Sequence, residues 1–165
     1  MVFSRLITET NRTIMSNKKN EWVVIHYVGA ESTAEANAKY FSKEYRGASA
    51  HYFVDEKSIW QVVEEKDAAW HVGTTKGYKN GARNSNSIGI ELCCKKSKDT
   101  GDWYFEEKTI DNAIWLTRMI MQKYQIDIRT FDDTFSDNTE RYAQNHSYVI
   151  QNNGKISKQE WRKKC

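Results

Sequence analysis

Apolar and polar positions follow two different periods along this chain. At residues 21–27 the run EWVVIHY is dense in β-branched and aromatic residues, the pattern of a buried strand. Ser32 and Thr33 are N-cap candidates for a helix through ANAKYFSKEYR, with Ala36, Tyr40 and Phe41 expected on its inner face. AHYFVD and SIWQVVEE are strand-like runs on either side of the charged pair Glu56-Lys57, which predicts a hairpin. TTKGYKNGARNSN is rich in Gly and Asn and reads as a loop, and SIGIELCC returns to a strong strand pattern. Across residues 106–124, Ile110, Ala113, Ile114, Thr117, Ile120, Met121 and Tyr124 recur at helical spacing and predict a long amphipathic helix. Residues 129–141 are polar and acidic and read as an irregular loop. HSYVIQ is a short strand candidate, and SKQEWRKK a short helical turn ahead of Cys165. Strands alternating with helices, with one antiparallel hairpin, predict a single α/β domain built on a mixed sheet flanked by helices.

Composition narrows the class. A hydrophobic content of 39% with 13% aromatic residues belongs to a globular chain, and 165 residues suffice for one core without disulfide staples. No stretch approaches the ~18 apolar residues of a membrane span. The first 21 residues lack the continuous apolar segment of a signal peptide, so synthesis in the cytoplasm is the expectation. The net charge of +3 is mild and scattered, without the dense basic stripe of a nucleic-acid binder. Cys93 and Cys94 are adjacent on a strand, so their side chains should point to opposite faces and not pair with each other.

Candidate chemistry centres on the four histidines, His26, His51, His71 and His146, each in or beside an apolar or aromatic run. Taken singly, each is an ordinary packed or surface histidine. Together with a late cysteine and a carboxylate in the SIGIEL strand they suggest more. Catalytic zinc commonly takes three protein ligands from His, Cys and carboxylate and leaves a position open. Glu91 stands out because a run as apolar as SIGIEL would otherwise carry a costly charge.

The runs VVIHYVG, GASAHYFVDEKSIWQVVEEKDAAWHVG and NSNSIGIELC closely resemble the zinc N-acetylmuramoyl-L-alanine amidases, the family of phage amidase endolysins and cell-wall recycling amidases related to peptidoglycan-recognition proteins. The likeness runs unbroken over residues 22–93, in the family's order, and implies a catalytic domain over residues 1–165. It implies that His26 is a zinc ligand, that Glu91 acts on the catalytic water, and that His51, Trp70 and His71 line the substrate cleft. Asn84, Asn86 and Ser87, in the loop and strand start ahead of Glu91, are candidates for sugar or peptide binding.

The last third, residues 142–165, departs from the family pattern. IDIRTFDD stands where a second ligand histidine is expected and contains none, which leaves His146. Two registers remain for the third ligand. Aligning Gly154-Lys155 puts Ser157 at the position, whereas aligning Arg162-Lys163-Lys164-Cys165 puts a thiolate there, with Lys163 two residues before it. A neutral hydroxyl is a poor zinc ligand and a thiolate an excellent one, so the second register is the chemical choice. It requires the tail to fold back beside His26, and places the edge of the catalytic domain at the tail.

The resemblance then implies one Zn2+ per chain on His26, His146 and Cys165, with Glu91 as general base and acid and Lys163 stabilising the oxyanion. The bond cut would be the amide between N-acetylmuramic acid and L-alanine in bacterial peptidoglycan, by a monomer that reaches the wall after release from the cytoplasm. Two other readings stay open: a non-catalytic peptidoglycan-binding module lacking a ligand, and a cytoplasmic recycling amidase. A cysteine nucleophile at Cys93 or Cys94 is disfavoured by poor access within a strand.

Overall fold

The structure is a computed structural model that describes residues 1–73, 76–78, 81–126, 129–132 and 148–152. Its elements in chain order are β1 (Val2–Arg5), β2 (Trp22–Glu31), α1 (Ala34–Lys43), β3 (Tyr52–Val54), β4 (Ser58–Gln61), β5 (Ser87–Lys96), β6 (Trp103–Tyr104), α2 (Glu107–Tyr124), β7 (Arg129–Asp132) and β8 (Tyr148–Asn152). The sheet runs β1-β4-β3-β5-β2-β8-β7, with β6 paired to β5. Strands β2, β5 and β3 are parallel at its centre, while β3-β4, β2-β8 and β7-β8 are antiparallel. The mixed α/β sheet read from the sequence is therefore present, including the hairpin around Glu56-Lys57.

Strand alternation divides the residues between two faces. On one face, Val23, Ile25, Tyr52, Val54, Ile59, Ile88, Ile90 and Leu92 pack against α2 through Ile110, Ala113, Ile114, Ile120 and Met121. On the other, Phe53 and Cys93 pack against Ala34 and Ala38 of α1, and Trp22 and Val24 pack under Ala82 and Tyr78. Because β5 is covered on both sides it reads as an almost unbroken apolar run, as buried parallel strands do.

The helices follow their caps. Thr33 caps α1, its hydroxyl accepting the Ala36 N–H at 3.1 Å. The inner face of α1 differs from the expected one: Ala34, Asn37 and Ala38 are buried with Phe41 partly so, whereas Ala36 is exposed and Tyr40 is 52% exposed. The phase is set from outside the helix. Asp55, after β3, accepts the Ala34 N–H at 2.8 Å and draws that turn onto the sheet, which leaves Tyr40 stacked under the Arg46 guanidinium. Strand β7 falls inside the segment expected to be an irregular loop, and β8 lies where HSYVIQ predicts a strand. Cys93 faces Asn37 and Cys94 faces the Ala30 carbonyl, both buried and unbridged.

One buried carboxylate ties the α2 face together. Glu65 accepts hydrogen bonds from Tyr52 at 2.7 Å, from Tyr124 at 2.8 Å and from Lys123. Burial pushes its pKa up, but the bonds from Lys123, Tyr52 and Tyr124 outweigh it and hold Glu65 below the ordinary 4.5. A depressed carboxylate contributes stability that is present above the unfolded-state value and lost as pH falls through the folded one. Glu65→Gln is thus expected to cost about 1–3 kcal/mol at pH 7. In chemical denaturation series the gap from wild type should narrow below pH 4.5; a gap independent of pH would mean the carboxylate charge is not what matters.

Candidate functional site

Register and alternation assemble the site on the sheet face opposite α2. His26 on β2 lies beside Glu91 on β5, and Glu91 lies beside Phe53 on β3, so these side chains share a face. His51 precedes β3 and is bonded twice to one residue of β5. Its N–H donates to the Gly89 carbonyl and its Nδ1 accepts the Gly89 N–H, each at 3.0 Å. His71 comes from the loop after β4, where the Asn84 side-chain oxygen accepts the N–H groups of both His71 and Val72, at 3.0 and 2.7 Å. The His71 ring lies directly on Gly89: a methyl group there would sit 2.5 Å from its Cγ.

The hydrogen bonds fix the protons. The Ser87 hydroxyl donates to the Arg83 carbonyl, so its oxygen accepts from His71 Nε2 at 3.1 Å. His71 Nδ1 then carries the lone pair and accepts from His26 Nε2 at 3.0 Å. This leaves the lone pair of His26 on Nδ1. A histidine that donates one ring N–H to a neighbour while keeping a lone pair on the other nitrogen is oriented as metal-ligating histidines are. Burial keeps the ring neutral, lowering its pKa to about 4.

Beside it, Glu91 Oε2 is buried and hydrogen-bonded to nothing among the described residues. Burial raises its pKa to about 8. A carboxylate oxygen placed in an apolar strand without a partner is costly unless a ligand, water or cation completes it. The donor set therefore suits a cation. Among the described residues there is no group of three His, Cys, Asp or Glu side chains that could hold a metal ion. His146, Lys163 and Cys165, with the competing Ser157, lie outside the described residues.

The remaining sequence candidates fall in two places. Trp70 is partly buried, its indole N–H donating to Thr13 Oγ1 at 2.9 Å, with the exposed Tyr45 ring edge-on at 5.9 Å. Asn86 spends its amide on its own loop and on the entry to β2: it accepts from the Arg83 N–H and donates to the Gly81 carbonyl and to Glu21. Asn84 serves to position His71, and Ser87 to set its tautomer. Burial pushes the thiols of Cys93 and Cys94 up in pKa, which argues against either as a nucleophile. Sequence reasoning missed Lys18, whose amine lies 2.9 Å from His51 Nε2. Its stretch SNKKNE carries no pattern that marks it.

Comparison with known proteins supplies relatives for the chain and its fold. The family profile described as N-acetylmuramoyl-L-alanine amidase matches residues 16–157. The amidase XlyA of Bacillus subtilis strain 168 is 34% identical over 101 residues, 61% of this chain and 30% of that protein. The endolysin LysK of Staphylococcus phage K is 31% identical over 100 residues, 56% of this chain and 19% of that protein. A further amidase, CwlA of Bacillus subtilis strain 168, is likewise covered over only 28% of its length. Among solved structures, the catalytic domain of XlyA superposes with a TM-score of 0.61 at 25% identity, covering 77% of this chain and 80% of that one. The PlyG catalytic domain gives 0.60 at 26% identity, covering 76% and 73%.

Proposed function

The chain belongs to the N-acetylmuramoyl-L-alanine amidase family, and from that premise we propose that it hydrolyses the amide joining the lactyl group of N-acetylmuramic acid to L-alanine in bacterial peptidoglycan, as an endolysin lysing cell walls. The observation that carries the reading is the pairing of His26, its Nε2–H engaged and its lone pair on Nδ1, with the buried, unpartnered oxygen of Glu91.

Zinc fits this donor set, and His26 would hold it together with His146 and Cys165. Strand β8 supports His146: Tyr148 pairs with Ile25, next to His26, and His146 stands two residues before it in sequence. When bound, the ion supplies a Lewis acid for the scissile carbonyl. The chain's residues do the rest. The His71–Ser87 relay orients His26. Glu91 takes a proton from the attacking water as the C–O bond forms, and passes it to the L-alanine nitrogen as the C–N bond breaks. A cation beside Glu91 favours its charged form against the effect of burial. Lys163 would stabilise the developing oxyanion. The peptidoglycan partner, the monomeric state and action on the wall after release belong to the same proposal. No helix among the described residues is long and apolar enough to cross a membrane.

Metal analysis with a wall-lysis assay tests the reading. Wild-type protein is expected to carry about one zinc per chain and to lose lysis on chelation. Cys165→Ser and His146→Ala should each lose both metal and lysis. Retained metal and activity in Cys165→Ser would overturn that ligand assignment. A wild type with neither would favour the peptidoglycan-binding module.

A further inference from the structure

Beneath the histidines lies an ionisable residue whose hydrogen-bond partners fit only one protonation state. Among the described residues the Lys18 amine has three neighbours: the Asp67 carbonyl at 2.8 Å, the Glu65 carbonyl at 3.2 Å and His51 Nε2 at 2.9 Å. His51 itself is fully buried. Because its Nδ1 accepts the Gly89 N–H, the neutral ring carries its proton on Nε2, facing Lys18 and, at 3.1 Å, the Asp67 carbonyl. An ammonium would offer three N–H groups to two carbonyls and point the third at another N–H. A neutral amine has two N–H groups for the two carbonyls and one lone pair for the imidazole. We infer that Lys18 is held as a neutral amine and is a positioning residue of the site, its lone pair accepting the His51 Nε2–H and so fixing His51 against Gly89 and His71.

The surroundings agree. Burial lowers the Lys18 pKa to about 7, against the opposing pull of the Glu65 and Asp67 carboxylates. Those carboxylates are engaged elsewhere: Asp67 with Arg12 and the Met15 N–H, Glu65 with Tyr52, Tyr124 and Lys123. The second imidazole facing His51 is His71, ring centre to ring centre 5.7 Å. From Lys18 the contacts continue through His51 and Gly89 to His71, and from there to His26. Below the Lys18 pKa the ammonium confronts the His51 N–H and this support is lost.

The consequence for catalysis rests on the amidase reading, whereas the protonation state does not. Nuclear magnetic resonance of wild-type protein with labelled lysine and histidine side chains separates them. One lysine should titrate near pH 7, with His51 as the Nε2–H tautomer above that pH and its nitrogen shifts moving with the same midpoint. In Lys18→Met the titration should vanish and the His51 shifts stay flat. With hydrolysis, the wild-type kcat should show an acid limb near that midpoint that Lys18→Met lacks, with KM little changed. A Lys18 ammonium persisting to pH 9, or His51 protonated on Nδ1, overturns the inference even in an active enzyme, and needs no variant to be seen. The titration in a wild type that hydrolyses nothing would leave the inference standing and sink the amidase reading.

Discussion

Replacing Glu91 by Gln is expected to lower the rate of wall hydrolysis by about 10²–10⁴-fold, the usual contribution of a positioned acid–base group. The substitution keeps the volume and the strand pairing with His26 and Phe53. It removes the one oxygen among the described site residues that is buried, ionisable and unpartnered. The same change should stabilise the metal-free protein at high pH. Burial raises the Glu91 pKa from 4.5 to about 8, so the folded chain binds the proton more tightly than the unfolded one. A raised value means that stability is fully present below about pH 4.5 and is lost as pH climbs through about 8. In chelated protein, Glu91→Gln should therefore melt higher than wild type at pH 9 and alike at pH 4, by about 2–4 °C for each kcal/mol recovered. Loss of activity together with a gain in stability is the signature of a residue kept for chemistry. A variant within about threefold of wild-type activity would remove Glu91 from the reaction.

How much was legible in the sequence depended on how local the cause was. Strands β2 and β5 and helix α2 were legible because their periodicity reflects burial on nearly every inward position. The phase of α1 was not, because it is set by Asp55, 21 residues downstream of the Ala34 it binds. Edge strands β1 and β7 are short, and VFSR and RTFD carry too few apolar positions to show a period. In the site, His26 and Glu91 stood out as polar residues inside apolar strands. Lys18 did not, because its meaning comes from carbonyls 47 and 49 residues away. Polar residues in a Gly/Asn-rich loop look alike on paper, yet Asn84 orients His71 while Asn86 holds its own loop.

Gly89→Ala should show that the histidine relay, and not Glu91 alone, sets the activity. The added methyl would sit 2.5 Å from His71 Cγ and 2.7 Å from Nδ1, the atom that meets His26. Gly89 cannot retreat, because its N–H and its carbonyl are both bonded to His51. His71 is held at its backbone by Asn84, so its ring must tilt, giving up Ser87 or His26. Overpacking of this kind costs about 1–3 kcal/mol. A misplacement near 1 Å at a site that depends on orientation costs about 10²-fold in rate. Assays well below the melting temperature separate the two effects. Gly73→Ala, a methyl with no atom within 4 Å, is the matched control and should change neither. The His26 Nε2–H signal, sharp in wild type, should weaken or shift in Gly89→Ala. If stability falls while rate and that signal are unchanged, His71 is packing and the relay has no part in orienting His26. If all three move together, orientation of the first histidine is built from the glycine beneath its neighbour.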